Sequence, residues 1–274
     1  MNLKRLVRGL TPPLLAELYF RCCSGTYHTY IWDGIYAHYR EVPVRGPGHV
    51  GGTWIEETQA HTRWIIAEAQ KPATYPTYVS SYYSLMAILV ATLRNPVRPV
   101  RILDFGGSMG CGYVQLMGSL SNDAQVEYHI VDNQQSCTIG SKLFRSEERV
   151  RFHSTLPKLA GTVDLLFLGS VLQYIEDYAG LLQQLLAYRP RWVLLVFHPI
   201  GDIPTFATAQ NNIKGSVLAY WFFNVHEVVA LFQQHGYRLI FRNLVERKFN
   251  MENFPVNYRL EQMSNLLFEV IEGV

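Results

Sequence analysis

Two acidic side chains and a group of small residues stand where two apolar segments end. Asp104 lies at the end of the apolar segment 100–105, and Asp132 follows the next one, 126–131. The small residues come directly after Asp104: Gly106, Gly107, Ser108 and Gly110. Glycine has no Cβ, so the main chain can bend sharply and lie close to a ligand. A carboxylate at a strand end can accept hydrogen bonds from ribose hydroxyls. The pattern predicts a cradle for a nucleotide-like ligand.

The spacing of the glycines indicates which nucleotide is bound. The dinucleotide fingerprint G-x-G-x-x-G does not fit, because a match starting at Gly110 needs a glycine where Gln115 stands. The pattern Asp104-x-Gly106-x-Ser108-x-Gly110 is closer to the acidic-x-Gly-x-Gly-x-Gly loop of class I methyltransferases, with Ser108 replacing the middle glycine. It predicts S-adenosylmethionine as cofactor. A tight strand–helix turn without a ligand is the alternative.

The elements that would position these residues alternate along the chain. Strands are predicted at 100–105, 126–132, 150–153, 163–168 and 192–197, and helices at 113–120, 136–144 and 178–188. Such alternation indicates a parallel sheet with right-handed crossovers. Strands 237–245 and 265–271 follow with no convincing helix between them, which favours an antiparallel pair. We therefore predict an α/β fold with a Rossmann-like, seven-stranded class I methyltransferase sheet, mostly parallel, with an antiparallel last strand.

The chain is expected to divide into two parts. Residues 1–98 form a helical and irregular cap segment, and residues 99–274 form the methyltransferase domain. Within the cap, helices are predicted at 3–10, 11–21, 53–70 and 77–94, and the glycine-rich stretch 25–52 is predicted to be irregular. Thr53 and Glu56 have the spacing of a capping box. The first helix is basic and amphipathic, so residues 1–10 either pack on the protein or contact an anionic membrane surface.

Composition narrows the class of protein. The chain has 274 residues, of which 49% are hydrophobic, and a formal net charge of +2. This charge is too small to predict nucleic-acid binding. The four cysteines have no zinc-site spacing. They fit a reduced, cytoplasmic protein, peripheral at the inner membrane surface if residues 1–10 touch lipid. No apolar run reaches the roughly 20 residues of a spanning helix, and we predict no signal peptide.

With these residues in view, the chain resembles a family of class I methyltransferases encoded in bacterial surface-polysaccharide gene clusters. The matching segments extend over nearly the full length: Leu10-Thr11-Pro12-Pro13, Trp32-Asp33-Gly34-Ile35-Tyr36, Asp104-Phe105-Gly106-Gly107-Ser108-Met109-Gly110, Leu172-Gln173-Tyr174 and Gln210-Asn211. The Asp-Phe-Gly-Gly form of the cofactor loop is the most diagnostic of them, because ordinary methyltransferases do not usually carry that doublet. The resemblance implies a role in polysaccharide biosynthesis and an acceptor that is a sugar or glycan precursor.

The residues expected around the cofactor share a place at the carboxyl ends of the predicted strands: Asp104, Gly106, Gly107, Ser108, Gly110, Asp132, His153, Ser154, Leu172 and Gln173. The glycine turn would face the methionine part, with Asp104 reaching its amino group. The ribose is assigned to Asp132, and the adenine to His153 and Ser154. Leu172 and Gln173 would lie near the sulfonium. Capping or turn roles are the alternative for these side chains.

A hydroxyl acceptor needs a general base to remove its proton. His198 is the candidate, because it ends the fifth strand on the same sheet edge as the glycine turn; the alternative is a hydrogen-bonded histidine at a strand end. Tyr174 would line the acceptor site. Gln210 and Asn211 are predicted in a loop, with amides suited to sugar hydroxyls or to ordinary loop capping. We expect no metal, because no histidine has a three-ligand set around it.

The sequence thus predicts a methyltransferase that O-methylates a sugar or surface-glycan precursor. The main alternative is a catalytically inactive protein that keeps the fold for binding or assembly. A nicotinamide-dependent oxidoreductase is the least favoured hypothesis. The acceptor atom and the oligomeric state stay open.

Overall fold

The computed structural model describes residues 30–71, 80–93, 97–121 and 123–271. The two helices predicted at 3–10 and 11–21, and with them the predicted membrane contact, lie outside these ranges. So does the first part of the helix predicted from residue 77.

Within these ranges the chain forms strands and helices in near alternation. The strands are β1 (Trp32–Tyr36), β2 (Val100–Phe105), β3 (Val126–Val131), β4 (Val150–His153), β5 (Leu165–Gly169), β6 (Trp192–His198), β7 (Ile200–Gly201), β8 (Phe206–Gln210), β9 (Leu218–Asn224), β10 (Tyr237–Lys248) and β11 (Gln262–Val270). The α-helices are α1 (Gly52–Ala69), α2 (Ser84–Leu93), α3 (Cys111–Ser119), α4 (Gln134–Leu143), α5 (Tyr178–Leu186) and α6 (Val225–Gln234).

A seven-stranded sheet with the order β10-β11-β6-β5-β2-β3-β4 forms the centre of the fold. The pairs from β6 to β4 are all parallel, and β11 is antiparallel to both of its neighbours. This confirms the predicted sheet and its antiparallel last strand. Because the central strands run parallel, their carboxyl ends share one edge, and ligands bind at such an edge in open α/β sheets.

The core explains why the central strands are apolar along their whole length. On one face, Leu103 and Leu166 pack in a cluster with residues of α5 and α6. On the other face, Ile102 and Leu165 pack with residues of α1, α2 and α3. Neighbouring residues of one strand therefore enter opposite clusters, as expected for a parallel sheet covered on both faces.

A second sheet, which sequence reasoning missed, has the order β1-β8-β9-β7. Its strands β8 and β9 form an antiparallel pair in the connection between β6 and α6, and β1 adds to the edge of β8. The prediction of an irregular stretch at 25–52 is therefore wrong at 32–36. The pairing also ties part of the predicted cap segment to the domain, and the division at residue 98 stays a prediction.

The helices α1 and α6 begin with different kinds of N-cap. The N-cap of α1 is Gly51, and no side chain caps this helix, so the predicted Thr53–Glu56 capping box is wrong. The N-cap of α6 is Asn224, whose side chain accepts hydrogen bonds from the backbone N–H groups of His226 and Glu227. This side chain thus satisfies two of the free N–H groups at the start of α6.

Candidate active site

The turn after β2 is shaped by glycine. Gly106 and Gly110 have φ angles of +80° and +95°, in the left-handed region that side chains with a Cβ rarely adopt. The backbone N–H of Gly106 donates to the carbonyl of Val131 at 2.8 Å, which fixes the turn to the end of β3. The next residues begin α3, so the turn lies at the carboxyl edge of the sheet, as predicted.

Asp104 lies beneath this turn and is buried, with 2% of its surface exposed. The Tyr128 hydroxyl donates to its Oδ2 at 2.8 Å. A Cβ on Gly107 would lie 2.4 Å from the same oxygen, so a residue without a side chain is required there. Burial raises the pKa of Asp104 to about 7; the Tyr128 hydrogen bond acts against this rise, and the charge of Asp132 adds to it. The carboxyl group therefore titrates near neutral pH.

Asp132 connects the end of β3 to the glycine turn. Its Oδ2 accepts a hydrogen bond from the backbone N–H of Ser108 at 2.8 Å. Its Oδ1 accepts from the backbone N–H and the side-chain amide of Asn133, each at 2.7 Å. The residue is half-buried. The carboxylate of Asp132 therefore contacts the glycine turn, as the sequence predicts.

Ser108 stands where the methyltransferase loop usually has its middle glycine. Its φ angle is +52°, so a serine occupies a left-handed conformation that glycine adopts without strain. Its Oγ is buried and has no hydrogen-bond partner. The departure from the motif therefore keeps the backbone geometry of glycine.

A cavity of about 420 Å³ opens between the ends of β2, β3, β4 and β5. Three predicted cofactor residues line it: Gly106, Asp132 and Ser154. Sequence reasoning missed other lining residues: Phe105, Val131, Asn133, Thr155, Leu156, Val171, Ile175, Leu181 and Gln184. The volume is typical of a small-molecule site. Backbone of the turn and two side chains of α5, Leu181 and Gln184, thus line one pocket.

Other predicted cofactor residues, among them His153, Leu172 and Gln173, do not line this cavity. The His153 ring stacks on His129 and its Nε2 lies 3.0 Å from His129 Nδ1, and its assignment to the adenine site stays a prediction. Leu172 and Gln173 are buried and do not line the cavity. The Gln173 amide donates to Ser170 Oγ at 2.7 Å, and its carbonyl oxygen has no partner. Leu172 and Gln173 are thus part of the buried interior of the segment that follows β5.

His198 is not suited to be the general base. It is fully buried, and its Nε2 lies 3.4 Å from the backbone N–H of Leu172. Burial lowers the pKa of the imidazole to about 3. Such a group accepts a proton poorly at neutral pH, since an efficient base has a pKa near the working pH. The prediction is therefore wrong, and the alternative of a hydrogen-bonded histidine at a strand end describes this residue.

Tyr174 and Gln210 meet although 36 positions separate them. The tyrosine hydroxyl donates to Gln210 Oε1 at 3.0 Å. Gln210 is the last residue of β8 and is buried, so its prediction as a loop residue is wrong. Asn211 does follow the strand, and its backbone N–H donates to the carbonyl of Ile31 at 2.7 Å.

His49 is a neighbour of this pair that sequence reasoning missed. Its ring centroid lies 4.6 Å from that of Tyr174 and 5.1 Å from that of Trp54. Burial lowers the pKa of His49, while the charge of Asp132 acts in the opposite direction. No motif marks this histidine, and its one sequence signal is a position just before the predicted helix at 53–70.

Among the described residues, no group of three or more His, Cys, Asp or Glu side chains is placed to hold a metal ion. In the same part of the chain, no helix has both the length and the apolar character to cross a membrane.

Neither a protein-family model nor a curated protein sequence matches this chain. Solved structures do match. A chain of the complex between the Haloferax volcanii Trm112 methyltransferase activator and a methyltransferase gives a TM-score of 0.50 at 11% identity, covering 80% of this chain and 97% of that one. Together with the strand order, this decides the architecture. The chain has the class I methyltransferase fold.

Two further solved structures that resemble this chain carry S-adenosylhomocysteine. The 1,6-didemethyltoxoflavin-N1-methyltransferase of Burkholderia thailandensis has a TM-score of 0.48 and 17% identity, over 84% of this chain and 94% of that one. The magnesium protoporphyrin IX methyltransferase of Synechocystis PCC 6803 has a TM-score of 0.47 and 13% identity, over 83% and 90%. In the class I methyltransferase fold of the present chain, the glycine turn, Asp132 and the cavity lie at the same edge of the sheet.

Proposed function

We propose that this protein is a methyltransferase that uses S-adenosylmethionine and O-methylates a sugar or surface-glycan precursor. The observation that supports the cofactor best is the bond between Asp132 and the turn, at the wall of the cavity. A bent main chain without side chains and a carboxylate at the next strand end are the two features that an adenosyl ligand needs.

The residues present fit such a ligand. A Cβ on Gly106 would lie 2.5 Å from Val171 Cγ2, so only glycine leaves the main chain open at this wall of the cavity. Asp132 would accept the ribose hydroxyls, and Ser154 with its neighbour Thr155 would contact the adenine. Asp104 would hold the turn and, when ionised, favour an ammonium group near it.

Bound S-adenosylmethionine supplies a methyl group that is already activated by a positively charged sulfur. The task of the protein is therefore to hold the acceptor in line with that group and to exclude water. Tyr174 and Gln210 are proposed to line the acceptor site. The sugar or glycan acceptor is supported by the family resemblance alone.

We also propose a cellular location and a domain organisation for this protein. A cytoplasmic location, contact of residues 1–10 with the inner membrane surface, and a division into 1–98 and 99–274 stay predictions.

A non-catalytic binding or assembly protein is the second candidate. The burial of His198 favours it, because the one base that the sequence suggested cannot serve. A nicotinamide-dependent oxidoreductase has less support, since the dinucleotide fingerprint is missing at Gln115.

An isotope experiment separates these candidates. The protein is incubated with S-adenosylmethionine that carries a deuterated methyl group and with a panel of nucleotide sugars and glycan precursors, and products are followed by mass spectrometry. Transfer of the labelled methyl group supports the enzyme, and Asp132→Ala should reduce it. Cofactor binding without transfer to any acceptor would favour the binding protein instead.

A further inference from the structure

A half-buried imidazole stands beside the proposed acceptor site with aromatic rings on two sides. The ring of His49 is perpendicular to that of Tyr174, at 90°, and inclined by 60° to that of Trp54. Tyr174 in turn touches Tyr220 edge to face at 5.3 Å. The histidine thus lies between side chains from α1 and from the segment after β5, and the latter packs on β9.

The backbone that carries His49 is fixed from the side of the second sheet. The N–H of Gly48 donates to Ser216 Oγ at 3.1 Å. Gly48 has a φ angle of +55°, and a Cβ there would lie 2.5 Å from a methyl group of Leu218. Nearby, Arg45 and Val217 exchange both of their backbone hydrogen bonds, at 3.0 and 2.8 Å. The imidazole is therefore carried by an anchored segment, which a catalytic group needs.

The nitrogens of this ring are available for chemistry. Within the described residues, no hydrogen bond engages either nitrogen of His49, whereas His129 and His153 are bonded to each other and His198 faces a backbone N–H. Burial disfavours the charged form, and the carboxylate of Asp132 partly opposes this effect. A neutral imidazole with a free lone pair results at neutral pH.

We propose that His49 is the general base of this enzyme and takes the proton from the acceptor hydroxyl. This inference rests on the proposed methyltransferase function. As the acceptor oxygen forms its bond to the methyl carbon, the bond from that carbon to sulfur breaks and its electron pair goes to sulfur. The proton of the hydroxyl passes to a ring nitrogen of His49 and then to solvent.

The same site restricts the acceptor. Gln210 Oε1 accepts a hydrogen bond from the Tyr174 hydroxyl and keeps a second lone pair, and its amide nitrogen carries two N–H donors for a ligand. The faces of Trp54 and Tyr174 suit the flat side of a ring. We therefore expect an acceptor that is a ring compound with hydrogen-bonding oxygens.

The first test is a histidine NMR titration of the full chain with S-adenosylhomocysteine or S-adenosylmethionine bound. A positively charged sulfur close to His49 disfavours the protonated imidazole. His49 should therefore bind a proton about tenfold more weakly in the S-adenosylmethionine complex than in the S-adenosylhomocysteine complex. His49→Asn assigns the resonance, and the signals of the His129–His153 pair should not differ between the complexes. An unchanged constant while both ligands bind would overturn the role of His49. Failure of both ligands to bind would overturn the methyltransferase function, and this inference with it.

The second test uses turnover with an acceptor from the panel. His49→Asn should keep its affinity for S-adenosylhomocysteine but lose about 10²–10⁴-fold in turnover at neutral pH, with partial recovery in alkaline buffer. His61→Asn is the matched control, since His61 is exposed on α1. Full turnover by His49→Asn would contradict the proposal.

Discussion

The carboxylate of Asp132 accepts a hydrogen bond from the backbone N–H of Ser108, so that the end of β3 holds the turn that follows β2. One oxygen is engaged with the turn and the other with Asn133. The residue therefore has two tasks, to hold the loop and to present charge at the wall of the cavity.

Asp132→Ala should weaken the binding of S-adenosylhomocysteine by about 1–3 kcal/mol, because hydrogen bonds to a charged acceptor are lost. Isothermal titration calorimetry measures the change. Asp202→Ala is a suitable control, since that side chain is 89% exposed and belongs to another segment. An unchanged affinity in Asp132→Ala would mean that the ribose site lies elsewhere.

Gly107→Ala should destabilise the turn. The new methyl group would lie 2.4 Å from Asp104 Oδ2, and this carboxyl group is buried and bonded to Tyr128. We expect a loss of about 1–3 kcal/mol in the free energy of unfolding, measured in urea. Gly52→Ala is the control, because nothing lies within 4 Å of a Cβ there and alanine suits the start of a helix. Equal stability of the two variants would refute the close contact.

Ser108→Gly should stabilise the protein by about 0.5–1 kcal/mol. The substitution removes the strain of a serine in the left-handed region and a buried hydroxyl that has no hydrogen-bond partner. The greater conformational freedom of glycine in the unfolded chain opposes part of this gain. Ser141→Gly, on the exposed face of α4, should instead lose on the order of 0.5 kcal/mol. Urea midpoints compare them, and a loss in Ser108→Gly would show that the hydroxyl makes a useful contact.

Asp104→Asn should remove a pH dependence of stability. The folded pKa is raised to about 7, so between its ordinary value of 3.8 and 7 the folded state binds more protons than the unfolded state. Stability from this group is therefore lost as the pH rises, by up to about 1.4 kcal/mol per pH unit. His198, with its lowered pKa, acts in the opposite direction below 6.5.

The measurement that isolates Asp104 is the difference between wild-type and Asp104→Asn unfolding free energies across this range, since His198 is common to both. We expect this difference to shift steadily in favour of the variant from pH 4 to 7. A difference that does not vary with pH would show that the carboxyl group has an ordinary pKa.

The central sheet and the glycine turn could be predicted because their signals are local. The apolar runs that end at Asp104 and Asp132 are bounded by turn residues, and parallel strands bring such ends to one edge. The position of His198 at the end of β6 was also predicted. Its burial was not, because burial depends on neighbours such as Leu172 that lie 26 positions away.

The second sheet and the residues of the proposed acceptor site could not be predicted from local sequence signals. β1 pairs with β8 across more than 170 positions, so no local pattern announces the partner. Gln210 looks like a loop residue in sequence and becomes the buried end of a strand through that pairing. His49 belongs to no motif and gains its surroundings from Trp54 and Tyr174 in the folded chain.

The central claim is that the turn after β2 and Asp132 form a site for an adenosyl sulfur compound. Isothermal titration of the folded wild-type protein with S-adenosylhomocysteine tests it most directly. We expect saturable binding to a single site per chain. No heat of binding at millimolar ligand, from protein shown to be folded by circular dichroism, would contradict it.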